Sequence, residues 1–202
     1  MNKKILAFTG AGISKDSGIP TFEEMGDLRN KLSRKFFNIH PDQFFEVLLK
    51  LREAVKKANP NKAHLVLAKY NIPIITMNID GLHTKANSKN VLEIHGNLEK
   101  LECRKCKKNY DYSVLRESYK CPICKSILQP NVVLYGDGLL KIDKAFNMVS
   151  ECDILVIVGT SYYTSTAVDI LRYAKVTNKK VYEINSEAKT RLPKLIKRII
   201  HT

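Results

Sequence analysis

Short apolar runs alternate along the chain with longer segments whose apolar residues recur at helical spacing. The apolar runs predict strands at residues 4–9, 72–76, 91–94, 154–158 and 180–184, and a short extended segment at 132–134. The spaced segments predict helices at residues 63–70, 142–149, 167–174 and 192–200, and one that begins near Pro41 and carries Phe44, Leu48, Leu51 and Val55. Several strands are apolar on both faces, which is typical of a mainly parallel sheet covered by helices on both sides.

Small and polar residues follow the predicted strands at the points where the strands end. Ligands of open parallel sheets bind beyond the carboxyl ends of the strands, so we expect these segments to meet at one edge. The segments are Gly10-Ala11-Gly12, Asn78-Ile79-Asp80-Gly81, His95-Gly96, Gly159-Thr160-Ser161 and Asn185-Ser186. Their convergence predicts a ligand site at that edge of the sheet.

Gly10 and Gly12 follow the first strand and would let the backbone and its N–H groups approach a phosphate group closely. A tight strand-to-helix turn explains the same pair of glycines equally well. The ordinary dinucleotide fingerprint has a third glycine three residues later, where this chain has Lys15. Any dinucleotide would therefore be held by a variant scheme.

Four cysteines interrupt the α/β pattern as two Cys-x-x-Cys pairs separated by fourteen residues, namely Cys103, Cys106, Cys121 and Cys124. Two such pairs can close one tetrahedral site of four thiolates, which predicts a zinc module over residues 101–126. Four protein ligands leave no open position, so we expect a structural zinc ion. Redox chemistry is the alternative use of paired cysteines. The fifth cysteine, Cys152, opens an apolar strand and is expected to be a buried thiol.

Composition places the chain among globular proteins, with 202 residues, 44% of them hydrophobic and 27% charged. That length fits one domain with a small insertion. No apolar stretch is long enough for a membrane span or a signal peptide, which favours the cytoplasm. The net charge is +14, and the basic residues cluster in the cysteine module and near the C-terminal end. This charge raises nucleic acid as a partner, although no nucleic-acid motif accompanies it.

Longer motifs are far more specific. Residues 10–22 read GAGISKDSGIPTF, 76–83 read TMNIDGLH, 91–96 read VLEIHG and 130–137 read PNVVLYGD. Together with the four cysteines and the segments at 159–161 and 184–186, these ordered motifs resemble the sirtuins, the NAD-dependent protein deacylases. The resemblance covers nearly the whole chain.

The resemblance implies an α/β fold in which a Rossmann-like parallel-sheet domain carries a small inserted zinc-ribbon and helical domain. The implied Rossmann-like part comprises residues 1–20, 60–100 and 127–202. The implied small domain comprises residues 21–59, which are helical, and 101–126, the zinc module.

The resemblance also implies roles for individual residues. NAD would lie between the two domains, held by Gly10, Ala11, Gly12, Ser14, Phe22, Asn78, Ile79, Asp80, Gly159, Thr160, Ser161, Asn185 and Ser186. The oxygen of an acyl-lysine would attack the ribose anomeric carbon, with His95 as general base and Asn78 at the nicotinamide end. The products would be nicotinamide, free lysine and O-acyl-ADP-ribose. An imidazole accepts a proton near neutrality, and Asn78 and Asp80 complement a carboxamide.

The implied substrate is an acyl-lysine protein or peptide. Its binding residues would be Val132, Val133, Tyr135 and Gly136. Val132 and Val133 form an extended edge to which a peptide could add as a strand. The helix around residues 44–52 lacks the Tyr-x-x-Arg pair that marks acidic-acyl specificity in some sirtuins, so we expect an acetyl or other uncharged acyl group. We also expect a monomer.

Four positions depart from the family pattern. Glu23 stands where the family usually has arginine. This difference removes a cation near the NAD phosphates, and Arg29 could supply the positive charge instead. Met77 stands where glutamine is usual, which removes a hydrogen bond to the ribose. Gln129 and Tyr135 replace a common arginine and phenylalanine. We therefore expect weak NAD affinity or altered chemistry.

Two other functions compete with deacylation. ADP-ribosyl transfer or plain NAD hydrolysis would use the same cleavage at the anomeric carbon. A nucleic-acid-binding zinc protein would account for the charge. His95 and the Val132–Val133 edge favour deacylation.

Overall fold

Two β-sheets organise the chain in the structure, a computed structural model that describes residues 3–20, 24, 28–161 and 164–201. The strands are β1 (Ile5–Thr9), β2 (Ile74–Thr76), β3 (Val91–Glu93), β4 (Gly96–Cys103), β5 (Lys108–Tyr110), β6 (Gln129–Val132), β7 (Ile154–Val158) and β8 (Lys180–Ile184). The helices are α1 (Leu28–Lys31), α2 (Arg34–Ile39), α3 (Pro41–Lys57), α4 (Lys62–Lys69), α5 (Leu82–Lys85), α6 (Ile142–Glu151), α7 (Ser165–Val176) and α8 (Ala188–Ile200). Short 3-10 turns occupy Ala11–Ile13, Lys15–Ser17 and Tyr112–Arg116.

Local sequence signals account for several helix ends. Asn61 caps α4, since its side chain accepts a hydrogen bond from the Ala63 N–H at 2.8 Å. Thr164 caps α7 in the same way through the Ala167 N–H at 3.4 Å. Pro41 opens α3, where its missing N–H costs nothing. These signals lie close to the predicted starts, so all five predicted helices are present.

The larger sheet is parallel throughout, in the order β3-β2-β1-β7-β8. All five residues of β7 are buried. Side chains of alternate residues face opposite ways, so Val156 packs with α4 and α8 while Leu155 packs with α6 and α7. The predicted parallel sheet covered on both faces is confirmed, and its carboxyl ends face one edge.

A second, antiparallel sheet has the order β5-β4-β6 and forms a separate core with α3. Phe44 and Leu48 of α3 belong to the same apolar cluster as Leu98 and Leu134, which lie on the two segments flanking the cysteine module. The strands β4 and β6 of this sheet therefore extend beyond both ends of the cysteine module, whose predicted bounds are residues 101 and 126. The reason is burial, because the flanking apolar residues pack against α3.

Within the residues that the structure describes, no helix is both long enough and apolar enough to cross a membrane.

Candidate active site

A cavity of about 770 Å³ lies at the carboxyl edge of the parallel sheet and reaches the second sheet. The predicted NAD-binding residues that line it are Gly10, Ala11, Gly12, Asn78, Ile79, Gly159, Thr160, Ser161, Asn185 and Ser186. His95 and the predicted substrate residues Val132, Val133, Tyr135 and Gly136 line it as well. The loops after β1, β2, β3, β7 and β8 therefore meet in one site, as their positions in the sequence predict.

Two loops of this site touch backbone to backbone. The Gly12 N–H donates to the Gly159 carbonyl at 2.9 Å, and Gly159 has a φ of +64°. A Cβ added to Gly159 would lie 2.3 Å from the Ile13 nitrogen, and one added to Gly12 would lie 2.7 Å from the Gly159 Cα. Glycine is therefore required at both positions by the close approach of the loops.

Most N–H groups of the glycine loop are already bonded within the protein. The N–H groups of Gly10, Gly12, Ile13 and Ser14 donate to the carbonyls of Val158, Gly159, Gly10 and Ala11. The loop consequently offers a close backbone approach, but these four N–H groups are not free to face a phosphate. This differs from the sequence expectation that the loop's N–H groups bind an anion.

Ser14 and Asp80 lie behind the cavity lining, next to Asn78. The Ser14 hydroxyl donates to Asp80 Oδ2 at 2.6 Å and accepts from Asn78 Nδ2 at 3.2 Å. The Leu82 N–H donates to Asp80 Oδ1 at 2.9 Å. Burial raises the pKa of Asp80, and the hydrogen bond from Ser14 opposes that shift. The network fixes the Asn78 side chain, so Ser14 and Asp80 position the site without lining the cavity.

His64 extends this network further into the core. Its Nδ1 accepts the Asn61 N–H at 3.3 Å, which leaves Nε2–H to donate to Ser14 Oγ at 3.3 Å. Burial lowers the pKa of His64 to about 4, so the ring is neutral at pH 7. From the sequence alone, a histidine at this position near the start of a helix is expected only to pack in the core. The Asn61-x-x-His64 capping pattern at the start of α4 is the signal that could have located its ring.

His83 is the second buried histidine, and its Nε2 lies 3.0 Å from Thr9 Oγ1. Burial lowers the pKa of His83 to about 3. The residue is 2% exposed, so His83 has a structural role in the core.

His95 follows β3 and has one ring nitrogen fixed by the backbone. Its Nδ1 lies 2.9 Å from the Met77 carbonyl oxygen. A carbonyl only accepts, so Nδ1 carries the proton and Nε2 is left as an acceptor in a residue that lines the cavity. Burial lowers the pKa of His95, which keeps the ring neutral at pH 7. This is the protonation state that a general base requires.

We call residues 129–137 the clamp segment. Its strand, β6, lies at an edge of the second sheet and ends at Val132, two residues before the predicted end. Beyond it the Val133 N–H donates to the His95 carbonyl at 2.9 Å. Asp137 accepts two hydrogen bonds of 2.8 Å from the Arg34 guanidinium, which ties the clamp segment to α2.

The four cysteines of the module are brought together. Their sulfur atoms all lie within 4.8 Å of one another, and Cys103 and Cys124 Sγ are 3.5 Å apart. Zinc–sulfur bonds of about 2.3 Å in a tetrahedron place the sulfurs about 3.8 Å apart, so the cluster fits one structural zinc ion. Lys107 and Lys125, which follow the second cysteine of each pair, both have positive φ, at 56° and 61°. The two pairs thus form matching turns around the site.

Thr160 provides a polar atom suited to a ligand of the cavity. The residue is 2% exposed, and its Oγ1 has no hydrogen-bond partner within the described part of the chain. A buried hydroxyl without a partner is costly, and a bound hydroxyl or phosphate would satisfy it. Among the remaining predictions, Phe22 and the departure at Glu23 lie outside the described residues.

Comparison with known proteins decides the family. A sequence model of the Sir2 family matches residues 10–166. The chain belongs to the Sir2 family. The match spans the glycine loop, Asn78, His95 and the cysteine module, so the resemblance drawn from the motifs is confirmed.

Individual Sir2 relatives agree with this assignment. The chain is 37% identical over 180 residues to an NAD-dependent protein deacetylase of Caldivirga maquilingensis, covering 79% of this chain and 69% of the relative. It is 36% identical over 203 residues to an NAD-dependent protein deacylase of Aquifex aeolicus, covering 92% and 84%. A crystal structure of Sir2 with an inhibitor, 2′-O-acetyl-ADP-ribose and a deacetylated peptide superposes with a TM-score of 0.85 at 28% identity, covering 96% and 93%. The Rossmann-like fold with an inserted zinc unit is therefore the Sir2 fold.

Proposed function

We propose that this Sir2 protein is an NAD-dependent protein-lysine deacetylase, or more broadly a deacylase. The observation that carries the proposal is His95. Its Nδ1 is fixed by the Met77 carbonyl, which leaves Nε2 as the acceptor. The same cavity is lined by the glycine loop on one side and by the clamp segment on the other. A base therefore stands between a dinucleotide site and a peptide site.

The residues present fit NAD. The glycine loop allows a close backbone approach, while Thr160, Ser161 and Asn185 offer polar atoms at the ends of β7 and β8. Asn78, held by Ser14, would bind the nicotinamide end. When bound, NAD supplies the glycosidic bond whose cleavage frees nicotinamide and the ribose carbon that takes up the acyl oxygen.

The protein's own contribution to the chemistry is positioning and one proton transfer. His95 Nε2 would accept the proton of a ribose hydroxyl, and the Met77 carbonyl would stabilise the charged imidazolium through Nδ1–H. Ser14 and Asp80 hold Asn78 in place from behind.

The acyl-lysine peptide would bind along the clamp segment. β6 is an edge strand, so an extended peptide can add to it through main-chain hydrogen bonds. The apolar side chains of Leu32, Ile79 and Val132 line the adjoining part of the cavity. They suit an uncharged acyl group, because a buried charge would have no partner there.

Product analysis with NAD and an acetyl-lysine peptide tests the proposal. We expect nicotinamide release that depends on the peptide, and loss of multiple-turnover formation of nicotinamide, free lysine and O-acetyl-ADP-ribose in His95→Ala. His201→Ala changes an exposed histidine at the far end of α8 and serves as the control. Nicotinamide release that is independent of the peptide would favour ADP-ribosyl transfer or NAD hydrolysis instead.

The nucleic-acid alternative has its own test, a salt series of DNA binding. Phosphate contacts must weaken as salt rises, so absent or salt-independent binding excludes that function. The cytoplasmic location and the monomeric state stay predictions.

A further inference from the structure

The side chains that line the cavity are mainly acidic, although its expected ligand, NAD, is itself negatively charged. Four acidic residues line the cavity, namely Asp16, Glu24, Asp137 and Glu187. Among the described lining residues, Lys15 is the one lysine or arginine. NAD carries two negative charges on its pyrophosphate, so a cation close to the phosphates would favour its binding in such a site.

The glycine loop itself supplies little of this compensation. Four N–H groups of the glycine loop already donate to carbonyls of the protein. The family's usual arginine is replaced by Glu23. A side-chain cation on or near the loop would therefore oppose pyrophosphate charge that the bonded N–H groups of the loop do not.

Lys15 is placed to supply it. The preceding residue, Ser14, is anchored by its hydrogen bonds to Asp80 and Asn78, which fixes the position from which the lysine side chain starts. Lys15 opens the second 3-10 turn, directly after the glycine loop, and lines the cavity. Its Nζ lies 2.6 Å from Glu24 Oε1. Both side chains are substantially exposed, so this ion pair is weak and can exchange.

We propose that Lys15 is the cation that binds the dinucleotide pyrophosphate in this protein, exchanging its ion pair with Glu24 for the phosphates. The inference rests on the proposed function, because it assumes that NAD occupies the cavity. The positive charge of Lys15 would compensate for the arginine that Glu23 replaces.

Calorimetric measurement of ADP-ribose affinity tests the proposal without requiring catalysis. Lys15→Gln should weaken binding about three- to tenfold, as for loss of one partly exposed charged contact. Lys15→Arg should bind nearly as well as the unmodified protein. Glu24→Gln should bind more tightly, because it removes the competitor for Lys15. A general loss of stability would not lower the ADP-ribose affinity in Lys15→Gln and raise it in Glu24→Gln.

Two further variants serve as comparisons. Lys50→Gln removes the same charge from an exposed position of α3 outside the cavity lining and should leave the affinity unchanged. Arg29→Gln tests the other cation that the sequence offers. Equal affinity of Lys15→Gln and Lys50→Gln would overturn the proposal, as would a large loss in Arg29→Gln alone. Failure of the unmodified protein to bind ADP-ribose would instead contradict the proposed function.

Discussion

His95 shows how a single side chain acquires a function from its surroundings. The Met77 carbonyl holds the proton on Nδ1, and burial lowers the pKa of the ring. A histidine on an exposed surface has neither constraint. The sequence could predict this residue because it stands directly after a strand, at the edge where parallel strands end.

The lowered pKa of His95 gives a pH prediction. The neutral ring is the active base, so protonation abolishes activity as the pH falls. Because burial lowers the pKa from its ordinary value of 6.5, the acid limb of the kcat/KM profile should have its midpoint below 6.5. His95→Ala should lower kcat at least about 100-fold at pH 7. A midpoint above 6.5, or an acid limb unchanged in His95→Ala, would argue against His95 as the base.

Other residue roles could not be predicted from the sequence. Ser14 and Asp80 are predicted to touch NAD, and the structure adds a hydrogen bond between them beside Asn78 that the sequence does not show. Their hydrogen bond joins loops that are 66 residues apart in the sequence, so no local sequence pattern predicts it. The link from His64 to Ser14 is of the same kind.

At the scale of elements, α2 and the clamp segment act as a pair. Arg34 donates to both carboxylate oxygens of Asp137, and its Nη1 donates to Gln129 Oε1 at 2.7 Å. The family's common arginine at position 129 would repel Arg34, whereas glutamine accepts its hydrogen bond. The departure at Gln129 is thus matched by a partner within this chain.

Arg34→Gln should loosen the contact of the clamp segment with α2, while the backbone hydrogen bonds between Tyr135 and residues 32–34 remain. We expect the KM for the acetyl-peptide to rise about three- to tenfold while the affinity for ADP-ribose stays unchanged, since the lost contacts touch only the peptide side. Steady-state kinetics with varied peptide, together with ADP-ribose calorimetry, separate the two effects. Lys35→Gln, the exposed neighbour on α2, is the control. An equal loss of ADP-ribose affinity would show that Arg34 stabilises the whole fold instead.

The cysteine module stabilises the second sheet. Cys103 ends β4, so a zinc ion in the cluster would hold that strand beside β5 and, through the sheet, β6. Loss of the ion should loosen the edge to which the peptide adds.

Cys121→Ser should therefore reduce the zinc content below one ion per chain, lower the melting temperature and abolish peptide-dependent activity. Metal analysis and thermal unfolding measure the first two effects. Cys152→Ala removes a buried thiol outside the cluster and should retain the zinc. Full activity in a chelated, metal-free sample would contradict this role for the module.

The elements themselves were only partly predictable. Strands of the parallel sheet are continuous apolar runs and could be located, whereas β4 could not. Its buried residues Leu98 and Leu101 are three apart, because the pairing with β6 is irregular between Gly96 and Leu101. That irregularity removes the two-residue alternation by which a strand is recognised. The sequence pattern therefore did not predict β4 as a strand.

At the scale of the molecule, two sheets with separate cores meet at one cavity. The parallel sheet contributes the glycine loop, Asn78 and His95, while the second sheet contributes the clamp segment. The chain as a whole is strongly basic, but the described cavity lining is acidic. The basic residues of the C-terminal helix lie instead on its exposed face, opposite the apolar residues that cover the sheet.

In the proposed reaction, the acyl group passes from lysine to the ribose of NAD. Mass-spectrometric quantification of all products from one reaction with an acetyl-lysine peptide tests it most directly. We expect one nicotinamide and one O-acetyl-ADP-ribose for each lysine set free. Nicotinamide in excess over freed lysine, or free acetate with no O-acetyl-ADP-ribose at early times, would contradict it.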